Sequence, residues 1–467
     1  MKILLICSES YSTRGGPLAR SVGCIASAYR KLGASVLGFS PFFTKFEQES
    51  DFIESGRSSE KLRGMEYSAL KRIKDEDKWN LFIRFDEYFA RDGVYGDKHE
   101  KSFMDNHLRF SFLASAAMDY CIKSNFKPDA IHVHEWCGVA GALSKTVYRE
   151  HFANVPVVLT IHNVKYDFHC TARHINKIGL NPNDFNIEGY EFWGKVSMLK
   201  AAILYSDKVV FTSDAYLNYL LFTDLPGGMR GFLESQSSKL LSIQNGLDYD
   251  VWGMPEEIVE AKKKHKDELR AELGLEADGS LLVYSQVDHD SSTGVISTIL
   301  ANLLNMNLQL VMGISENDTD YPYFAAMQEK NRSKMALLPI TDKEEGLHHR
   351  LAAADIFFSI NSEDPSLSLF LKAAAAGSLP LSNKRTDKSF PFLKPFSEQS
   401  EESKDQASAF ISEDASPDIV LKQIQLAESV FSGDRRLWNK LVANASSLKL
   451  SWDDTAEKYF STFVPNS

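Results

Sequence analysis

The sequence predicts an α/β protein with two domains that face a cleft. Near the amino terminus, a strand pattern, a glycine-containing loop, a helix pattern and a second strand pattern follow one another. A similar alternation resumes after residue 277, and a highly charged stretch separates the two runs. Alternating strands and helices are typical of parallel sheets covered by helices, and clefts between domains are common ligand sites.

The first run begins with the apolar residues 2–7, which predict a buried strand. Apolar side chains then recur every three or four positions from Leu18 to Leu32, which predicts a helix closed by Gly33. Val36–Phe39 is the next predicted strand. Residues 45–78 are charged and show little apolar periodicity, so we expect a surface excursion there.

The remaining elements follow the same logic. Predicted helices are Phe110–Ile122, Val139–Tyr148, Leu369–Ala376 and Ser451–Phe463. Predicted strands are Ala130–Val133, Val157–Ile161, Val209–Phe211, Leu241–Ile243, Leu281–Tyr284, Leu308–Val311, Ala336–Pro339, Ile356–Ile360 and Leu379–Leu381. With a charged linker helix after residue 252, the predicted domains are 1–252 and 253–449, and residues 450–467 form a helix that packs back on the first.

Composition excludes several classes of protein. The chain has 467 residues and a formal net charge of -11, without the basic stripe of a nucleic-acid binder, so we expect no nucleic-acid partner. No apolar run approaches the roughly 20 residues of a membrane span, so no membrane association is expected. Five scattered cysteines indicate a reducing compartment, and we expect a cytoplasmic protein.

Polar residues at predicted strand ends are the candidates for chemistry. The loop with Arg14, Gly15 and Gly16 precedes a helix whose amino terminus would favour an anion, although a plain tight turn is an equal alternative. His132, His134 and Cys137 suggest a zinc site less well than a sugar pocket that includes Glu135 and Trp136.

A third strand end carries His162 and Asn163. A histidine at this position can donate a hydrogen bond to a hydroxyl or phosphate group, or act as an acid or base. A lone histidine is more often structural, so the convergence of several strand ends is what favours a site.

The order of these segments resembles the bacterial glycogen synthases and plant starch synthases. The resemblance is dense up to about residue 252 and thin afterwards. The matching segments are Tyr88–Gly96, Asp105–Asn106, Arg109–Phe110, His132–Trp136, Thr160–Asn163, Ser197–Ala202, Gly228–Gly231, Asn245–Asp248, Trp252, Ala353–Asp355, Asp364–Pro365 and Ser451–Trp452.

This resemblance implies two Rossmann-like domains in the GT-B glycosyltransferase architecture. It also implies transfer of glucose from ADP-glucose to the non-reducing end of an α-1,4-glucan, with retention and without a metal or cofactor. The implied partners are an α-glucan (glycogen or starch) and a nucleotide sugar, with other enzymes of glycogen metabolism as further partners. The implied site comprises catalytic His162 and Asp364, donor-binding Arg14, Gly15, Gly16, Asn245, Ser285 and Gln286, and sugar-binding Tyr95, Glu135, Trp136 and Asn163.

The chain departs from the family pattern mainly at the donor side. Arg14 stands where a lysine is expected, Gln286 replaces an arginine, and no lysine occurs at Ser291 or, after a gap, at Thr293. In the acid motif, Asp364 aligns with a glutamate and Leu367 with a glycine. Lost cations weaken stabilisation of the leaving diphosphate, because electrostatic stabilisation is a large part of such catalysis.

Three interpretations therefore stay open. The chain is an active glucan synthase with a rearranged donor site, an inactive or weak relative that binds glucan or regulates a true synthase, or a glycosyltransferase with a different donor. The missing cations favour the second interpretation, and the family resemblance favours the first.

Overall fold

The computed structural model divides the chain into two compact units. One comprises Met1–Gly246 and the segment from Trp452, and the other comprises Leu247–Ser451. None of the helices in the described ranges is long and apolar enough to cross a bilayer. The structure describes residues 1–9, 16–57, 65–73, 79–97, 99, 101–164, 169–222, 228–253, 258–287, 292–341, 343–360, 365–384, 390 and 392–463.

The first unit is built on a nine-stranded sheet and a small three-stranded sheet. The large sheet has the strand order β12-β11-β7-β6-β1-β2-β5-β4-β3, and the small one has the order β8-β10-β9. The strands are β1 (Lys2–Ile6), β2 (Ser35–Pro41), β3 (Phe52–Arg57), β4 (Ser68–Arg72), β5 (Asn80–Arg84), β6 (Ala130–His134), β7 (Val157–Ile161), β8 (His169–Cys170), β9 (Glu191–Phe192), β10 (Lys195–Ser197), β11 (Lys208–Phe211) and β12 (Leu240–Ser242).

Helices cover the large sheet. They are α1 (Pro17–Lys31), α2 (Asp86–Phe89), α3 (Asn106–Lys123), α4 (Val139–Lys145), α5 (Arg149–Phe152), α6 (Ile175–Ile178), α7 (Met198–Tyr205), α8 (Asp214–Phe222) and α9 (Arg230–Ser235). The first helix begins with a proline, which needs no hydrogen-bond acceptor at that position, and Gly33 follows it with a φ of 84°.

The expectation of a surface excursion over residues 45–78 is wrong for its described parts. Strands β3 and β4 extend the sheet beyond β5 in antiparallel pairing. Phe52 is buried against the rings of Phe42 and Phe82, at centroid distances of 5.0 and 4.9 Å. Ile53 and Glu54 in the same strand are exposed. Because the strand is only partly buried, its sequence lacks the apolar pattern from which a strand is predicted.

The second unit contains a six-stranded parallel sheet of order β15-β14-β13-β16-β17-β18. Its strands are β13 (Leu281–Gln286), β14 (Leu308–Gly313), β15 (Met335–Leu338), β16 (Ile356–Phe358), β17 (Leu379–Asn383) and β18 (Phe410–Ser412). Its helices are α10 (Tyr249–Trp252), α11 (Ile258–Leu273), α12 (Ser292–Asn305), α13 (Tyr321–Lys330), α14 (Glu344–Ala353), α15 (Ser368–Ala375), α16 (Glu401–Gln406), α17 (Pro417–Gly433) and α18 (Arg435–Ser446).

The last helix, α19 (Trp452–Thr462), belongs to the first unit. The ring of Tyr29 in α1 stacks on Phe460, with a centroid distance of 5.4 Å and an interplanar angle of 16°. Tyr459 and Phe463 are buried in the same apolar cluster. This cluster packs beneath the strands whose ends carry the candidate site.

Candidate functional site

The centre of the site is the sharp turn that follows β6. Glu135 begins a single 3₁₀ turn, Glu135–Gly138, directly after the strand, and its backbone adopts the left-handed conformation with a φ of 51°. This conformation is uncommon for a residue with a Cβ atom and costs on the order of 1–3 kcal/mol. The turn directs the Glu135 side chain toward the neighbouring end of β7.

The Glu135 carboxyl group holds the chain just after β7. Its Oε1 atom accepts hydrogen bonds from the backbone N–H groups of His162 and Asn163, the latter at 3.0 Å. Burial raises the pKa of Glu135 to about 8, although these two hydrogen bonds act in the opposite direction. Glu135 is therefore a positioning residue for the His162–Asn163 segment.

His162 forms a pair with His134 from the preceding strand. The Nε2 atom of His162 lies 3.1 Å from Nδ1 of His134, so one nitrogen donates and the other accepts. Burial lowers the pKa of His162 to about 4 and that of His134 well below its ordinary value. Both imidazoles are therefore neutral near pH 7.

His132 lies one layer deeper and is fully buried. Its Nδ1 lies 3.1 Å from the hydroxyl of Tyr29, and its Nε2 lies 2.8 Å from the hydroxyl of Thr160. Thr160 in turn lies 2.8 Å from the hydroxyl of Tyr459. Because hydroxyl groups engage both ring nitrogens, His132 is poorly placed for the zinc site considered from the sequence with His134 and Cys137.

Tyr95 and Trp136 form the aromatic wall of the site. Their rings stack with a centroid distance of 5.4 Å and an interplanar angle of 14°. Trp136 is only 6% exposed, and Phe110 packs edge-on against it at 5.5 Å. Trp136 therefore supports Tyr95, whose hydroxyl lies 2.7 Å from the Ser8 hydroxyl at the end of β1.

Glu9 links this wall to the glycine loop and was not identified from the sequence. Its carboxyl group accepts hydrogen bonds from the backbone of Gly16 and Ala19 and is hydrogen bonded to Tyr95, while burial raises its pKa. A Cβ atom at Gly16 would lie 3.2 Å from Glu9 Oε2. An acidic residue just after the first strand, ahead of a glycine loop, is the signal that could have revealed it.

The donor-side positions in the second unit lie at the end of β13. Ser285 is fully buried, and Gln286 is the last residue of the strand. The side-chain oxygen of Gln286 accepts a hydrogen bond of 2.8 Å from the Tyr284 hydroxyl. Arg350 donates to the carbonyl oxygen of Pro339 at 2.8 Å and lies 3.5 Å from the Tyr284 hydroxyl. Gln286 is therefore a neutral, hydrogen-bonded group at the strand end.

Leu367 immediately precedes α15 and adopts the left-handed conformation, with a φ of 54°. A leucine in this region is strained by roughly 1–2 kcal/mol, whereas glycine is not. The side chain is nevertheless buried. The backbone therefore has the conformation that suits the glycine of the family motif, while this chain carries a buried leucine side chain at the position.

The structure brings together only part of the predicted site. In the first unit, one cluster of hydrogen-bonded and stacked residues, the strand-end cluster, comprises Tyr95, Glu135, Trp136, His162 and Asn163. Glu9 connects this cluster to Gly16. Asn245 is buried in the same unit, after β12, and its N–H donates to the Thr212 carbonyl at 3.3 Å. Arg14, Gly15, Ser291 and Asp364 lie outside the described residues.

A family comparison decides the assignment. The model of the starch synthase catalytic domain matches residues 2–235, which contain the whole strand-end cluster. The chain belongs to the glycogen and starch synthase family. Among its relatives are the glycogen synthases of Geotalea uraniireducens and Treponema denticola, each 27% identical. These alignments cover 98% and 99% of this chain, and 97% and 98% of the relatives.

Solved structures confirm the predicted GT-B fold class for this family member. The catalytic domain of starch synthase IV from Arabidopsis thaliana, bound to ADP and acarbose, matches with a TM-score of 0.84 and 21% identity. That match covers 99% of this chain and 98% of the other. Sucrose-phosphate synthase from Thermosynechococcus elongatus matches with a TM-score of 0.59 and 15% identity, over 98% and 97% of the two chains.

Proposed function

We propose that this family member binds an α-glucan through the strand-end cluster of its first unit and transfers glucose from a sugar nucleotide only weakly. The observation that carries this proposal is Gln286. At the position where the family motif has an arginine, this neutral side chain is hydrogen bonded to Tyr284. Glucan binding is thus assigned to residues of the first unit, and weak transfer to the donor-binding residues of the second.

The composition of the cluster suits a neutral polysaccharide. His162 is a neutral imidazole, Asn163 carries an amide, and the ring of Tyr95 stacks on a buried tryptophan. Such groups exchange hydrogen bonds with sugar hydroxyls, and aromatic rings pack on the apolar faces of sugars. Starch synthase IV from Arabidopsis, whose solved structure contains acarbose, is consistent with a carbohydrate ligand for this fold.

Two positions of the donor motif that are cationic in the family, Gln286 and Ser291, carry no charge in this chain. A sugar nucleotide leaves as a diphosphate, and preorganised cations stabilise the charge that develops on it. Removing one such stabiliser typically costs about 10²–10³ in rate, and losses within one site are not additive. With Gln286 in place of arginine and no lysine at Ser291, we expect turnover at least about 10³-fold below that of an intact synthase.

Two assays on the purified full chain test the two halves of the proposal. Native gels with embedded glycogen measure glucan binding, and incorporation of labelled glucose from ADP-glucose or UDP-glucose into glycogen measures transfer. The glycogen synthase of Geotalea uraniireducens is the positive control. We expect a retarded band and little incorporation with either donor.

A variant pair assigns binding to the cluster. His162→Ala removes the imidazole whose Nε2 lies 3.1 Å from Nδ1 of His134, and we expect weaker retardation. His151→Ala changes an exposed histidine of α5 and should migrate like the parent. An unretarded parent band would exclude glucan binding, and incorporation within about tenfold of the control enzyme would exclude the impaired donor site.

A second candidate function is full transferase activity with a substitute cation. Arg350 favours it, because its guanidinium lies beside the hydroxyl that holds Gln286. Its guanidinium already donates a hydrogen bond to the Pro339 carbonyl oxygen, which argues against this role. If the chain proves active, Arg350→Gln should abolish incorporation while leaving the band in glycogen gels retarded.

A further inference from the structure

Two histidines and a glutamate of the second unit lie close together between α11 and α14. His265 and Glu268 are three residues apart on α11, so they project from the same side of the helix. His349 lies on α14. One potential ligand atom from each of the three side chains lies within 4.8 Å of the others.

The atoms of this His–Glu–His cluster are arranged around a common point. His265 Nδ1 lies 3.8 Å from Glu268 Oε2, and the two imidazole rings are 5.9 Å apart at an angle of 74°. These separations are too long for direct hydrogen bonds. They suit side chains that share an ion, with bonds of about 2.0–2.2 Å from each ligand to the metal.

The Nδ1 atom of His265 also supports an ion at this point. It is buried, and within the described part of the chain it has no hydrogen-bond partner. A buried polar atom left without a partner costs roughly 1–3 kcal/mol, and a native structure normally compensates for it. Because this nitrogen is the ring atom near Glu268, a metal ion between the two side chains would satisfy it.

The two carboxylate oxygens of Glu268 have different neighbours. Lys264 Nζ lies 3.9 Å from Oε1 of Glu268, whereas Oε2 is the oxygen near His265. Glu272, one turn further along α11, places its Oε2 3.6 Å from Nε2 of His349. A second carboxylate thus borders the cluster and adds negative charge that favours a cation.

We propose that His265, Glu268 and His349 bind a first-row divalent transition metal ion of the zinc class. Two imidazoles and a carboxylate form a common zinc ligand set, in which a fourth position is left for water. Magnesium and calcium prefer all-oxygen sites, so the two imidazoles select against them. The ion would join α11 to α14 and has no part in glucosyl transfer.

Titration of the metal-depleted full chain tests the site. The protein is treated with EDTA, exchanged into metal-free buffer, and titrated with ZnCl₂ in a calorimeter. We expect one zinc ion per chain, and we expect MgCl₂ to produce no binding heat. Cobalt(II) should bind at the same site and produce the visible absorption of a low-symmetry centre.

Substitutions of the three side chains test whether they bind the ion. His265→Ala and His349→Ala should each weaken zinc binding by at least about tenfold, and Glu268→Gln should weaken it without changing side-chain size. His151→Ala, which alters an exposed histidine of the first unit, should bind zinc like the parent. Circular dichroism and the thermal midpoint of each metal-free variant show whether it is folded.

Two results would overturn the proposal. One is the absence of a zinc site in the folded parent chain. The other is an unchanged affinity in folded His265→Ala and His349→Ala, because the zinc would then bind elsewhere. Since half-exposed side chains such as Glu268 contribute little to the core, Glu268→Gln provides a readout even if a histidine variant fails to fold.

Discussion

Substitution of His132 by glutamine tests the buried histidine network of the first unit. His132 is fully buried, and burial lowers its pKa from 6.5 to about 3. On acidification the unfolded chain binds a proton at this position below pH 6.5, whereas the folded chain stays neutral down to about pH 3. The free energy of unfolding therefore falls as the pH decreases through this window.

The size of the effect follows from proton linkage. Where the unfolded state carries one more proton than the folded state, the free energy of unfolding changes by about 1.4 kcal/mol per pH unit. Between pH 7.0 and pH 5.0, His132 alone accounts for a loss of roughly 2 kcal/mol. A glutamine offers polar atoms to Tyr29 and Thr160 but does not titrate, so His132→Gln should remove this part of the slope.

Hydrogen exchange in the β6 segment, followed by mass spectrometry, measures the free energy of opening in the first unit. The parent, His132→Gln and His151→Gln are compared from pH 5.0 to pH 7.0, after correction for intrinsic exchange rates. We expect the loss of opening free energy between pH 7.0 and pH 5.0 to be smaller by roughly 2 kcal/mol for His132→Gln and unchanged for His151→Gln. Parallel profiles for all three proteins would refute the assignment of His132 as a buried, neutral group.

Two further predictions concern Glu135 and the donor side. The pKa of Glu135 is raised to about 8, so its stability contribution should be lost as the pH rises from 4.5 through 8. Glu135→Gln should remove this decrease in the free energy of unfolding with rising pH, as measured by urea titration. An identical pH profile in both proteins would contradict the raised pKa of Glu135. Gln286→Arg with Ser291→Lys should not restore full glucose incorporation, because Leu367 still places a side chain where the family motif has a glycine, directly before α15. Complete recovery from these two substitutions would show that Leu367 is not an obstacle.

Much of the fold was predictable because apolar runs and glycine positions are local properties. The predicted strand Val157–Ile161 has the same bounds in the structure, and the helix predicted from Leu18 to Leu32 is α1. The strands β3 and β4 were missed because each is half solvated and so lacks a continuous apolar run. Their stability depends on pairing with β5, which is distant in the sequence.

The candidate site was predictable as a set of strand ends but not as a network. Parallel strands end at one edge of the sheet, so the positions of Glu135 and His162 could be placed near one another from the sequence. The role of Glu9 and the bond between Glu135 and the backbone after β7 depend on side-chain directions that only the folded chain defines.

Residue type and order were enough to identify the family and to predict that the donor motif has lost two cations, since motifs are properties of the sequence. The tertiary structure alone decided what the remaining polar groups do. It places the Gln286 amide on Tyr284, gives Leu367 a left-handed backbone and gathers His265, Glu268 and His349 between two helices. The physical reason is that packing in the folded chain fixes side-chain directions and backbone angles, which residue type and order leave open.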